Sequence, residues 1–182
     1  GRTHDPQPRG RWRTAGCRGV AGSGSQAGWP GTSTCLTQKT PEALAWEVAR
    51  CRSMTGKPFG VNLTFLPTVT SPDYPGYIRA IIEGGVKVVE TAGNNPQQWL
   101  PSLKDAGIKV IHKCTSVRHS LKAESNGCDA VSVDGFECGR HRGDDDIPDF
   151  ILPPRPAPQT KLPFAASRRR PARAPRLAPP AP

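Results

Sequence analysis

Polar side chains recur at the ends of short apolar runs: Asn62, then Glu90-Thr91-Ala92-Gly93, then His112-Lys113, then Asp134-Gly135. A loop from Phe136 to Gly143 follows and carries His141 just behind the last of them. A carboxamide, carboxylates and an ammonium can together hold an anionic or dipolar ligand, and an imidazole near neutral pKa can take or release a proton. Such groups meet where parallel strands end, because ligands of α/β folds bind beyond the carboxyl ends of the strands. The polar groups therefore predict one mouth, provided the runs before them are strands of one parallel sheet.

The runs have that pattern. Lys57 to Phe65, Val86 to Thr91, Ile108 to Lys113 and Asp129 to Asp134 are short and β-branched, as strands are. Between them lie helical spacings. Thr40 caps and Pro41 opens a helix from 41 to about 54 bearing Leu44, Val48 and Cys51, and Tyr74–Glu83, Gln97–Ala106 and Ser116–Ser125 follow. Gly84, Gly107 and Gly127 stand just after three helices, where a left-handed residue closes the last turn. Trp46 and Trp99 read as packing residues. Strands alternating with helices give right-handed βαβ units, and the period suits a (β/α)8 barrel or a doubly wound sheet. No GxGxxG follows the first strand, which weighs against the dinucleotide-binding version. Four strands are about half a barrel, since a whole one takes ~250 residues. The expected fold is α/β, a partial (β/α)8 TIM barrel with parallel strands.

Composition separates this core from its ends. Of 182 residues, 21 are Pro and 19 are Gly, and they concentrate outside the patterned part. Residues 1–34 hold five Arg, one Asp and eight Gly, and residues 151–182 hold six Arg, one Lys, ten Pro and no acid. The ends thus carry +4 and +7 of the net +10, leaving −1 for residues 35–150. This gives three expected regions: a disordered Gly/Arg-rich tail over 1–34, a barrel core over 35–152, and a Pro/Arg-rich, mostly disordered tail over 153–182 with one last short strand at Lys161–Ala166. A core of near-zero charge without aromatic interleaving makes a nucleic-acid partner unexpected. No apolar run approaches the ~18 to 20 residues of a membrane span, and no secretory signal follows the N-terminal arginines, so a cytoplasmic protein is expected. The six cysteines form no CxxC pair and fit reduced thiols, and Cys and His never cluster at ligand spacing, so no metal site is expected.

Four stretches resemble the nitronate monooxygenase family, formerly 2-nitropropane dioxygenases: Gly60-Val-Asn-Leu63, Glu90-Thr-Ala-Gly-Asn-Asn95, His112-Lys-Cys-Thr-Ser116 and Val131-Ser-Val-Asp-Gly-Phe-Glu-Cys138. The resemblance spans roughly 36–152 and touches 161–167. It implies a TIM barrel that binds FMN noncovalently at the strand ends and oxidises alkyl nitronates with O2 to a carbonyl compound and nitrite. Carried over by motif, Asn62 and Lys113 would hydrogen-bond the flavin and Asp134 would contact its ribityl chain. Gly139 and Ser167 fall in two further cofactor-binding motifs, and His141 would be the active-site histidine.

The same comparison shows departures. The family's Gly-Gly-Met loop before Leu36 has no counterpart in residues 1–34. Its Gly-Gly-His-Pro-Gly reads Gly139-Arg140-His141-Arg142-Gly143, and its Ser-Gly-Gly reads Ser167-Arg168-Arg169. Arginine where backbone approaches a cofactor crowds it. Family-like sequence flanked by Arg/Pro/Ala/Gly tails is the pattern expected of a fragment or a frameshifted relative, with impaired activity. Two other functions fit the same residues: an FMN-dependent enoyl reductase-like enzyme on the same barrel, and a non-enzymatic barrel fragment whose basic tails adhere to polyanions. An incomplete sheet with open edges also predicts self-association.

Overall fold

Thr32–Thr34 (β1) starts a sheet that continues through Gly60–Phe65 (β2), Val88–Gly93 (β3), Lys109–Cys114 (β4), Ala130–Val133 (β5), Phe164–Ala166 (β6) and Leu177–Ala178 (β7). This computed structural model describes residues 32–65, 71–133, 160–166 and 177–178. The strands lie side by side in chain order, β1 to β6 all parallel and β7 antiparallel to β6. A doubly wound sheet reverses direction at a switch point, whereas a barrel adds each strand on the same side of the last. The order therefore selects the partial barrel over the doubly wound alternative.

Among the described residues four helices connect the strands: α1 (Pro41–Met54), α2 (Tyr74–Glu83), α3 (Leu100–Asp105) and α4 (Val117–Ser125). Local chemistry explains their starts. Thr40 Oγ1 accepts from Ala43 N–H at 3.2 Å with Pro41 in the first turn, Asp73 caps α2 through Gly76 N–H at 3.0 Å, and Ser116 caps α4 through His119 N–H at 3.2 Å. The helix expected from Gln97 begins instead as a 3₁₀ turn, Gln97–Trp99. Pro101 has no N–H to donate to the carbonyl of residue 97, so the α-helical ladder starts later.

The sheet packs one face on the helices. Val61, Leu63, Val89, Val110, Val131 and Val133 are fully buried there against Leu44, Ile81 and Leu103. Burying a side chain of that size contributes about 1.5–3 kcal/mol.

Four details differ from the sequence expectation. β1 lies three residues inside the stretch expected to be a tail, and TST has no apolar signal to reveal it. Gly84 is right-handed at the end of α2, and Gly85 takes the positive φ of 64°. Gly84 is needed for space, since a Cβ there would lie 2.6 Å from Val48 Cγ1. Trp99 packs, stacked on Phe65 at 6.3 Å, but Trp46 is 66% exposed with the Arg50 guanidinium 5.3 Å above its ring. Cys35, Cys114 and Cys128 are free and buried, as reduced thiols should be, whereas Cys51 is disulfide-bonded.

Candidate functional site

Strand alternation sorts the side chains of the sheet into two sets. Register aligns Asn62 with Glu90 and Glu90 with Ile111, while Lys113 aligns with Ser132. Asn62, Thr64, Glu90, Ile111, Lys113 and Ser132 consequently share the face turned away from the helices. In a barrel this is the interior face, and it carries the polar residues Asn62, Thr64, Glu90, Lys113 and Ser132.

These groups are joined. Thr64 Oγ1–H donates to Asn62 Oδ1 at 3.0 Å, Asn62 Nδ2–H donates to Glu90 Oε2 at 2.8 Å, and Glu90 Oε1 stands 3.9 Å from Lys113 Nζ. The Glu90 and Lys113 side chains are 22% and 32% exposed, so the pair faces open space and not packed core. The chain of contacts crosses three consecutive strands. It presents a carboxamide, a carboxylate and an ammonium side by side.

His112 belongs to the other set. Position at a strand end places it in the predicted mouth, but one residue of offset from Lys113 turns it onto the helix-packed face. There it is 6% exposed, with Nδ1 2.8 Å from Thr91 Oγ1, itself fully buried. Burial, and next the nearby His119, push its pKa down to about 4. It is a neutral core histidine.

Of the residues singled out from sequence, Asn62 and Lys113 are brought together, through Glu90. Asp134, Gly139, His141 and Ser167 lie outside the described residues. Glu90 was legible as a strand-end group but its bridging position was not, and Thr64 was missed. Two-residue periodicity from Asn62 would have found Thr64. Among the described residues no three His, Cys, Asp or Glu side chains come close enough to hold a metal ion, and no helix is long and apolar enough to cross a membrane.

The described half of the site fits part of a flavin mononucleotide. A carboxamide and an ammonium on one open face suit the polar edge of an isoalloxazine ring, and a cation there stabilises the charge of its reduced form.

Comparison with known proteins places these residues. The model of the nitronate monooxygenase family matches residues 66–155. A protein of Rhodococcus jostii (strain RHA1) named (3aS,4S,5R,7aS)-5-hydroxy-7a-methyl-1-oxo-octahydro-1H-indene-4-carboxyl-CoA dehydrogenase is 36% identical over 129 residues, covering 71% of this chain and 35% of its own length. A probable nitronate monooxygenase of Staphylococcus saprophyticus is 30% identical over 115 residues, covering 63% of this chain and 31% of its own length. The solved structure of FabK from Thermotoga maritima superposes with a TM-score of 0.70 at 30% identity, covering 80% of this chain and 44% of that one. The chain spans about a third of the length of the curated relatives it matches. Family match, identity along the same stretch and a shared partial barrel agree, and over residues 66–155 the chain matches the nitronate monooxygenase family.

Proposed function

We propose that this chain carries the flavin-facing half of an enzyme that oxidises alkyl nitronates with O2 to a carbonyl compound and nitrite, and that its turnover is impaired. The observation that supports this reading is the Asn62–Glu90–Lys113 group on the interior face of three consecutive parallel strands. FMN, when bound, supplies the acceptor for the electrons taken from the nitronate. Asn62 and Lys113 hydrogen-bond it, and the Lys113 ammonium offsets negative charge arriving with the anionic substrate. By the family motifs Asp134 would hold the ribityl chain, Gly139 and Ser167 would contribute further contacts to the cofactor, and His141 would take or hold a proton beside the nitronate. Arg140, Arg168 and Arg169 replace glycines of the family motifs and Arg142 a proline, which supports the impaired turnover.

The test is a visible spectrum of the chain after mixing with FMN and removing free flavin. Retained flavin bands, followed by nitrite release from an alkyl nitronate that falls at least tenfold in His141→Ala, is the expected result. A colourless protein refutes the flavin reading for this chain and favours the non-enzymatic one. A second enzymatic reading, reduction or dehydrogenation next to a thioester carbonyl, is favoured by the greater identity to the Rhodococcus dehydrogenase than to the staphylococcal monooxygenase. Oxidation of a nicotinamide coenzyme with an enoyl thioester, and no nitrite from nitronates, would select it.

A further inference from the structure

We infer that Glu90 is the positioning residue of this site: it orients the Asn62 carboxamide and stands as a countercharge to Lys113 before any ligand arrives. The inference deepens the flavin reading and rests on it for the ligand's identity, though not for the pairing itself. Glu90 lies on the middle strand of three, directly opposite Asn62 in the register, with Lys113 two residues beyond its partner Ile111 on the other side. Its two oxygens are divided between them, Oε2 accepting from Asn62 at 2.8 Å and Oε1 facing Lys113 at 3.9 Å.

The direction of each bond follows from chemistry. The Thr64 hydroxyl donates to Asn62 Oδ1 at 3.0 Å, which leaves the amide nitrogen pointing at Glu90. A carboxylate only accepts, so Glu90 refuses the flipped amide, in which two oxygens would meet. Asn62 is therefore held from both sides in one orientation, with one N–H and one lone pair left for a ligand. The carboxylate has a second effect. It offsets the Lys113 cation, so the site has no net charge from this pair and exerts a weaker pull on an anion than Lys113 alone would.

Glu90→Gln separates the two roles, because a glutamine oxygen still accepts from Asn62 while the charge is gone. Glu90→Ala removes both. Thr64→Val breaks the other hold on Asn62 and leaves the charge untouched. The first measurement uses the full chain without flavin: the rate of acetylation at Lys113, read by peptide mass spectrometry. Losing the carboxylate that faces the partly exposed ammonium releases the amine from its ion pair, and the rate rises about threefold in Glu90→Gln and Glu90→Ala but not in Thr64→Val. The second is FMN affinity by fluorescence quenching, with the flavin midpoint potential by dye equilibration. Glu90→Gln binds FMN at least as tightly as wild type with a more positive potential, whereas Glu90→Ala and Thr64→Val bind it about tenfold more weakly, the equivalent of one lost hydrogen bond to a polar ligand.

Unchanged Lys113 acetylation in Glu90→Gln overturns the inference. So does an equal loss of FMN affinity in Glu90→Gln and Glu90→Ala, which would mark a merely structural residue. If wild type binds no FMN, the flavin reading fails by itself, and the acetylation rates still decide whether Glu90 governs Lys113.

Discussion

Lowering the pH from 7 to ~4.5 should weaken the fold through one side chain. His112 is 6% exposed on the helix-packed face, and its pKa is pushed down to about 4 from 6.5, chiefly by burial and then by His119, against a smaller opposing effect of its bond at Thr91. Below pH 6.5 the unfolded chain takes up this proton and the native chain does not. The contribution is therefore complete above about 6.5 and is lost progressively as the pH falls towards 4. A difference of 2.5 units between unfolded and folded values corresponds to about 3 kcal/mol, of which roughly 2 kcal/mol is gone by pH ~4.5. The carboxylates act elsewhere: Asp129 has its pKa held down by the Val110 amide and by Lys109 and Lys104 despite the opposing cost of burial, so its contribution is lost only at lower pH. Urea unfolding at pH 7, 5.5 and 4.5, read by far-ultraviolet circular dichroism, measures the effect. His112→Gln cannot titrate, so it should start less stable at pH 7 and lose little more on acidification. A wild-type loss under about 1 kcal/mol across this range, or an equal loss in His112→Gln, would refute the reasoning.

Other outcomes follow from the packing. Burial pushes the thiols of Cys35 and Cys114 up to about 12 and that of Cys128 up to about 11, so iodoacetamide at pH 8 should leave these three unlabelled in native protein and label them in urea, as peptide mapping would show. Gly84→Ala would set a methyl 2.6 Å from Val48 Cγ1 and 2.8 Å from the Ala80 carbonyl, and should cost about 1–3 kcal/mol in urea unfolding. Asp129 accepts from Val110 N–H at 2.9 Å and pairs with Lys104 at 3.2 Å and Lys109 at 3.1 Å. Asp129→Asn keeps an acceptor for the amide and should cost about 1 kcal/mol, and Asp129→Ala about twice that, with the urea midpoint shifted at constant slope.

The core of the fold was legible because its signals are local. Caps at Thr40 and Ser116 and apolar periodicity bound the helices at 41–54 and 74–83 as the sequence indicates, with α4 differing by one residue. Features depending on distant chain were not legible. β1 is a strand because β2 offers it an edge, and Thr-Ser-Thr carries no periodicity of its own. Gly84 answers to Val48 on another helix, and the disulfide at Cys51 has no spacing motif.

The site shows where such reading stops and why. Reading strand ends by type alone put His112 and Lys113 into one ring, yet consecutive residues of a strand point to opposite faces. One must therefore leave the ring. The neighbouring residues decide which: Val110 and Cys114 are buried against helices on the parity of His112, while Lys113 shares parity with Ile111, which register sets beside Glu90 and, across it, Asn62. The same parity admits Thr64 and excludes Thr91, whose hydroxyl then serves His112 in the core. Strand ends nominate candidates for a barrel mouth, but only parity carried across the register from one strand to the next selects among them. That step needs the pairing of strands, which no single run of residues contains.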